Sequence, residues 1–412
     1  MALVVAVAAC GSPTPTPPRS ASPTPVVAIT PTGTPVSAAT PTPAVQAIYP
    51  VPTSQPDPPA AAPVAVLDSQ MAANLQAALN AVRASGRLAG ISAAVVFPDG
   101  SMWTGQSGSA ILPKTPVTAN TLFSVGSISK TFVAALALRL AQQGTIGLGD
   151  PLSKYLPTYP NASHITLREL LDHTSGIHDV FTSPGMADAI LSDPSRIWTV
   201  DQVLAGIGKP YFAPGHGYQY SNTNYILLGV AIEKATNQTI ASLVRSEFLD
   251  PLGMKNTWFQ PEEKVASTDF AQGYMGPWSK PRDISAGQEM LPFNSEATVA
   301  GAAGGFVSTA PDLARWASAL YGGGVLDEAE LASMIDVSPT LPYTPTAPYG
   351  FGFEQTTISG RVAWGHLGHL DGFWSAMWYL PDSRITIVIL TNDEWTSTQG
   401  VAAQFVRALL GK

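Results

Sequence analysis

Ser127 and Lys130 lie three residues apart in Ser127-Ile128-Ser129-Lys130, between the short run Leu122-Phe123-Ser124-Val125-Gly126 and a long apolar stretch, Thr131 to Gln143. On a helix start that spacing stacks an amine beside a hydroxyl, one turn apart. The helix N-terminus adds backbone donors and partial positive charge. A serine hydroxyl is inert near neutral pH and needs an adjacent base. Lys130 serves once burial has stripped part of it of its proton. Taken alone, the pair also reads as a solvated helix start.

Two further segments carry reactive side chains. Tyr220-Ser221-Asn222 follows a Pro214-Gly215 turn and precedes a run that reads as a helix from Asn222 to Thr236. Side chains on such a loop can face a cleft. A phenol whose pKa is lowered by a neighbouring ammonium is a second candidate base. The plainer reading is a Tyr over a helix end and an Asn cap. Gly365-His366-Leu367-Gly368-His369-Leu370-Asp371-Gly372-Phe373 lies in a strand-forming region, where the plain reading is a Gly-rich edge with a satisfied His.

In this order and spacing the three segments resemble the penicillin-recognising serine hydrolases: class C β-lactamases, serine D-Ala-D-Ala carboxypeptidases and related esterases. Leu170-Leu171-Asp172-His173-Thr174-Ser175-Gly176-Ile177 is similar to that family's Leu-Leu-x-His-Thr-Ser-Gly segment, and Gly304-Gly305 through Ser308-Thr309 to Asp312-Leu313 to a second one. The resemblance runs from about Leu67 to the C-terminus. It implies an α+β fold of the β-lactamase/transpeptidase type, an antiparallel sheet flanked by helices plus a mostly helical lobe, with the site between them. It implies an acyl-enzyme at Ser127, with Lys130 or Tyr220 as base and Asn222 orienting Lys130 or the substrate. His366 would donate toward Tyr220 or the leaving group. The backbone N–H groups of Ser127 and His369 would form the oxyanion hole, and Leu367 and Gly368 would line the substrate site.

The elements that must position these residues are legible in part. Leu67, Met71, Leu75, Ala78, Leu79 and Val82 keep a helical period, stopped by Gly86. Gly90–Phe97 and Ser101–Gly105 read as a hairpin about Pro98-Asp99-Gly100. Thr166 with Glu169 forms a capping box. A helix is expected over Thr309–Tyr321, strands over Ile358–Trp364, Trp374–Leu380 and Ile385–Thr391, and a last helix over Val401–Leu410. Helices at both ends, an early hairpin and late strands predict one sheet built from both termini. The helical insert would span about Thr131 to Ala310.

The 412 residues carry a formal charge of −8, with no basic run, so a nucleic-acid partner is not expected. Between Ser12 and Pro63 only Arg19 and Asp57 are charged, and Pro, Thr, Ala and Val dominate, which reads as an extended tether. Cys10 is the sole cysteine, so no internal disulfide forms. The apolar run Ala2–Ala9 before it reads as a signal segment, and Val7-Ala8-Ala9-Cys10 looks like a bacterial lipobox. No basic residue precedes that run, so translation is expected to begin upstream of Met1. The organisation expected is 1–10 leader with lipid-anchored Cys10, 11–66 tether and 67–412 hydrolase domain, held at the cell envelope through the lipid alone. No cofactor is expected. Metal binding is disfavoured because His366 and His369, three apart on a strand, face opposite sides.

Two positions depart from the carboxypeptidase pattern. Leu367 stands where those enzymes usually carry Thr, and Glu354 follows Tyr349-Gly350-Phe351-Gly352-Phe353 where some carry Arg. Both changes disfavour a substrate carboxylate. The expectation is therefore an ester or amide, with Leu367 and Phe373 or Trp374 forming an apolar cleft, unless Arg361 or Arg384 supplies charge. A D-Ala-D-Ala carboxypeptidase or class C-type β-lactamase acting on a peptidoglycan-derived substrate is the alternative. A non-catalytic β-lactam or peptidoglycan sensor is the reading of another class.

Overall fold

The computed structural model describes residues 67–410 except 87, 266, 268, 277–280, 284–293, 338–348 and 395–397. The leader, Cys10 and the tether lie outside the described residues. No helix among the described residues is long and apolar enough to cross a membrane.

Seven antiparallel strands form the main sheet. They are β1 (Gly90–Val96), β2 (Met102–Ile111), β3 (Thr115–Pro116), β4 (Glu354–Ile358), β5 (Arg361–Leu370), β6 (Phe373–Leu380) and β7 (Ile385–Thr391). Their order is β3-β2-β1-β7-β6-β5-β4. The N-terminal hairpin therefore joins the C-terminal strands through β1 and β7, registered Ile91 to Thr391. β1 is buried along its whole length. Its side chains alternate, Ile91, Ala93 and Val95 toward one core and Ala94 and Val96 toward the other. A strand covered on both faces has no polar phase to alternate with.

One face is covered by α1 (Ser69–Gly86), through Leu75, Leu79 and Val82, and by the C-terminal helix Thr398–Leu410, whose Phe405 meets Trp103. The other face carries the larger core, which holds α2 (Ser129–Gln142). Phe132 on α2 stacks between Phe306 and Trp316, with centroids 4.9 and 4.3 Å away. Burying such a ring contributes roughly 1.5–3 kcal/mol. The hydroxyls on this apolar helix are satisfied. Ser129 Oγ accepts from Phe306 N–H, and Thr131 Oγ1 accepts from Trp316 Nε1.

The single strand expected over Ile358–Trp364 is two. Ser359 and Gly360, at φ 49° and 79°, turn the chain between β4 and β5. A two-residue turn of this hand matches the twist of its strands. Similarly, β2 continues past Gly105 to Ile111 and pairs with β1 as far as Gly90–Gly108. The Thr166–Glu169 capping box forms as expected. The helix expected from Asn222 is α3 (Asn222–Thr236), and Thr309 caps the helix Ala310–Tyr321. Between them, the insert adds a small sheet pairing Phe306–Ser308 with Phe123–Ser124 and Trp258–Phe259.

Candidate active site

Ser127 sits in a 3-10 turn, Gly126–Ile128, that runs directly into α2. Gly126 adopts φ 49° and presses on β5, where an added Cβ would stand 2.6 Å from His369 N. Lys130, one turn on, is fully buried. Its Nζ lies 2.9 Å from Ser127 Oγ and 2.8 Å from both Asn222 Oδ1 and the carbonyl of Ala303. A neutral amine has two N–H groups and one lone pair. Asn222 and Ala303 are acceptors and take the two N–H groups, which turns the lone pair toward the Ser127 hydroxyl. The Tyr220 hydroxyl completes the chain, 2.9 Å from Ser127 Oγ on its loop before α3.

Protonation follows burial. Desolvation brings Lys130 from 10.5 down to about 7, against the opposing pull of Asp179 and Glu354. About half of it is then neutral at pH 7, where an unperturbed lysine would be neutral in only about one molecule in 3000. Tyr220 moves the other way from the expectation. Burial pushes its phenol well above the usual value, so it stays protonated beside Ser127. The structure thus separates the two candidate bases, with Lys130 able to accept a proton and Tyr220 able to donate one.

Turnover of a neutral ester is expected to rise with pH and level off through about 7 as Lys130 loses its proton. Glu354 is raised to about the same value by burial, so the variant Glu354→Gln identifies the owner of that limb. Removing a nearby negative charge disfavours an ammonium, so a Lys130 limb moves to lower pH in the variant. A limb that vanishes instead belongs to Glu354.

A second layer holds the first. Asp179 accepts from Asn222 Nδ2, at 3.1 Å through Oδ2, and from Asn222 N. This fixes the amide with Oδ1 toward Lys130. Sequence reasoning missed Asp179, although it follows the Thr174-Ser175-Gly176 segment by only three residues. Glu354 accepts from Leu367 N–H at 3.1 Å and lies 3.5 Å from His366 Nδ1. His173 is buried, not part of a triad. Its Nδ1 meets Asn224 and Ser221 N, and its ring packs 4.3 Å from Tyr220.

Four expected roles are corrected. His366 does not reach Tyr220. It is buried with Nε2 3.1 Å from the Tyr349 hydroxyl, its Nδ1 meets the Leu367 carbonyl, and its ring centre is 6.4 Å from that of Tyr220. Burial, then Lys130, hold it down at about 3, so it is a neutral imidazole behind the reacting atoms. Leu367 alternates to the opposite face of β5 and packs on the core beneath α1, so it lines no cleft and its missing hydroxyl decides nothing about a carboxylate. Phe373 is likewise core. Gly368 faces the nucleophile turn, but as a close approach, since a Cβ there would stand 2.0 Å from the Val125 carbonyl oxygen.

The His369 backbone N–H lies beside the nucleophile turn. Along β5 the N–H groups alternate between the β6 side and the free edge. Leu367 N–H points off β6, to Glu354, and beyond the strand Asp371 N–H reaches Glu296 Oε1 at 3.0 Å. His369 N–H, in phase with Leu367, faces that edge beside Gly126. Its imidazole lies on the other face from His366, packed at a tilt against Trp374 and 3.1 Å from Glu394. His369, Asp371 and Glu394 each bring one potential ligand atom within 4.8 Å of the others.

A cleft of about 270 Å³ opens on Ser127 and Asn222. Phe181, Ile190 and Leu370 form its apolar wall, and Glu296 and Asp371 bring its only charged side chains among the described residues. Neither arginine considered from sequence contributes. Arg361 pairs with Asp382 at 2.6 Å, and Arg384 lies by Tyr379. A larger cavity of about 750 Å³, lined by Tyr159, His178 and Phe212 among others, contains none of the reactive groups.

Comparison with known proteins agrees with this geometry. The sequence model of the family described as Beta-lactamase matches residues 71–411. Penicillin-binding protein 4* of Bacillus subtilis (strain 168) is 31% identical over 300 residues, 68% of this chain and 63% of that protein. A D-aminopeptidase of Cereibacter sphaeroides is 26% identical across 82% of this chain and 62% of its own length. The chain thus spans about six-tenths of these curated relatives. The crystal structure of D-amino acid amidase from Ochrobactrum anthropi SV3 superposes with TM-score 0.73 at 28% identity, covering 83% of this chain and 99% of that one. A D-stereospecific amidohydrolase from Streptomyces sp. gives 0.70 at 29%, covering 82% and 99%.

Proposed function

Because the chain belongs to the beta-lactamase family, we propose that it is a serine hydrolase that cleaves amides or esters through an acyl-enzyme on Ser127. The observation that carries this reading is the placement of a buried, partly neutral Lys130 and a protonated Tyr220, each 2.9 Å from one serine oxygen.

Ser127 Oγ attacks the substrate carbonyl carbon as its proton passes to Lys130 Nζ. The N–H groups of Ser127 and His369 receive the oxyanion, each contributing about 3 kcal/mol in the transition state. The C–N or C–O bond then breaks. The leaving group takes a proton from Tyr220, and Lys130, protonated in the first step, returns one to the Tyr220 phenolate. Water, deprotonated by the same groups, releases the acyl chain and restores Ser127. Asn222 and Asp179 hold Lys130 in register, and His366 holds Tyr349, whose ring packs edge-on against Tyr220.

The carboxypeptidase and β-lactamase alternative needs a cation for a substrate carboxylate. The cleft offers two acids and, among the described residues, no Lys or Arg. This supports esters and amides that lack the carboxylate. A sensor needs acylation without release, and the same proton chain serves both halves of the reaction. The apolar run before Cys10 and the Pro/Thr-rich segment after it support a lipid-anchored, cell-envelope enzyme. The test is a paired assay of a p-nitrophenyl ester and a chromogenic cephalosporin, each beside Ser127→Ala. Ester turnover that vanishes in the variant is expected. Comparable cephalosporin turnover returns the protein to the β-lactamase alternative, and a trapped, unreleased acyl group returns it to the sensor.

A further inference from the structure

The acyl-transfer steps leave Glu296 and Asp371 unused. Glu296, on the helix Asn294–Ala300, is 4% exposed. Its Oε1 holds the N–H of Asp371, while Oε2 is buried with no hydrogen-bond partner among the described residues. Leaving a buried carboxyl oxygen without a donor is unfavourable, and that cost is regained when a donor reaches it. Neither acid joins an ion pair among the described residues. Glu394, beside them, is already engaged by His369 and by Gly372 N–H at 3.1 Å each. Facing the two acids is the apolar wall of Phe181, Ile190 and Leu370.

Position along the strand edge narrows the occupant. His369 and Asp371 are two residues apart, so the N–H held by Glu296 lies about 7 Å from the His369 N–H. A carbonyl oxygen about 3 Å from His369 and a donor about 3 Å from Glu296 come within a few ångströms of each other when the donor enters from the His369 side of the cleft they share. That span fits an amine carried one or two carbons from the scissile carbonyl. The geometry points to Glu296 and Asp371 as an ammonium-binding subsite, selecting acyl groups with a free primary amine next to an apolar side chain. This deepens the acyl-enzyme reading and rests on it. Burial, then Asp371 and Glu394, push the Glu296 carboxyl well above its ordinary range. His369 and Arg282 act on Asp371, which leaves Glu296 among acids alone. An entering cation supplies the missing charge.

The test compares phenylalanine p-nitroanilide, as either enantiomer, with the p-nitroanilide of 3-phenylpropionic acid, which lacks only the amine. The amine substrate is expected to lead in kcat/KM by at least about 100-fold, and Glu296→Gln to cut that ratio tenfold or more, mainly through KM. Gln keeps an acceptor for Asp371 N–H. If that variant fails to fold, the half-buried Asp371→Asn takes its place. In parallel, calorimetry on Ser127→Ala should show binding of phenylalaninol and none of 3-phenylpropanol. A ratio near one in the parent enzyme, or a ratio unchanged in both variants, overturns the subsite. So does a preference abolished by chelator, which would give the acids to a divalent cation. Absence of turnover on both anilides and on the ester sinks the hydrolase reading, while calorimetry still decides the subsite.

Discussion

Lys130→Met is expected to slow formation of the acyl-enzyme by about 10²–10⁴-fold, the range set by loss of general-base assistance. Met fills nearly the same volume, so the apolar part of the site survives. Its thioether cannot take the Ser127 proton. The change also leaves Asn222 Oδ1 and the Ala303 carbonyl without the donor each now meets at 2.8 Å. Losing those partners costs about 1–3 kcal/mol per group, partly offset because a costly buried amine is gone as well. The measurement is the pre-steady-state burst with a p-nitrophenyl ester, beside a thermal melt. A slowed burst with a cooperative melt fits the role argued for Lys130. An unchanged burst assigns the proton to another group and removes the mechanism. Tyr220 could not take over unaided, because burial holds its phenol in the protonated form.

Gly368→Ala should also damage activity, by a different route. Its Cβ would stand 2.0 Å from Val125 O and 2.2 Å from Ser375 Oγ, and Ser375 itself donates to Val125 O at 2.8 Å. Neither neighbour can yield without moving the segment that leads into Gly126 and Ser127. Overpacking of this kind costs about 1–3 kcal/mol. A shift of about 1 Å between the serine and the His369 N–H is worth about 10²-fold in rate. The expected result is a lower Tm together with a kcat loss of that order and little change in KM. Gly149→Ala is the control. It has no atom within 4 Å of an added Cβ and no positive φ, so it should melt and turn over like the parent. If Gly368→Ala behaves like the control, β5 does not set the geometry of the nucleophile.

The sequence alone singled out the candidate nucleophile and its neighbour. A Ser and a Lys three apart at a helix start must share a face, whatever the rest of the chain does. It determined the helix that begins at Asn222 and the capping box at Thr166, because these are local hydrogen-bonding patterns. It also foretold the pairing of the two ends of the folded part into one sheet, since the runs read as strands lie near those ends. Tertiary structure alone decided which way side chains on β5 face. A strand offers two phases, and only the packing of α1 against one side shows that Leu367 is structural and His366 inward. It alone decided which base is neutral. Lys130 and Tyr220 respond oppositely to the same burial, and burial depends on residues nearly a hundred or more positions away. The supporting acids Asp179, Glu354 and Glu296 follow the same rule. Each acts through a partner distant in the chain, and only three-dimensional distance tells a carboxyl aimed at the site from one facing solvent.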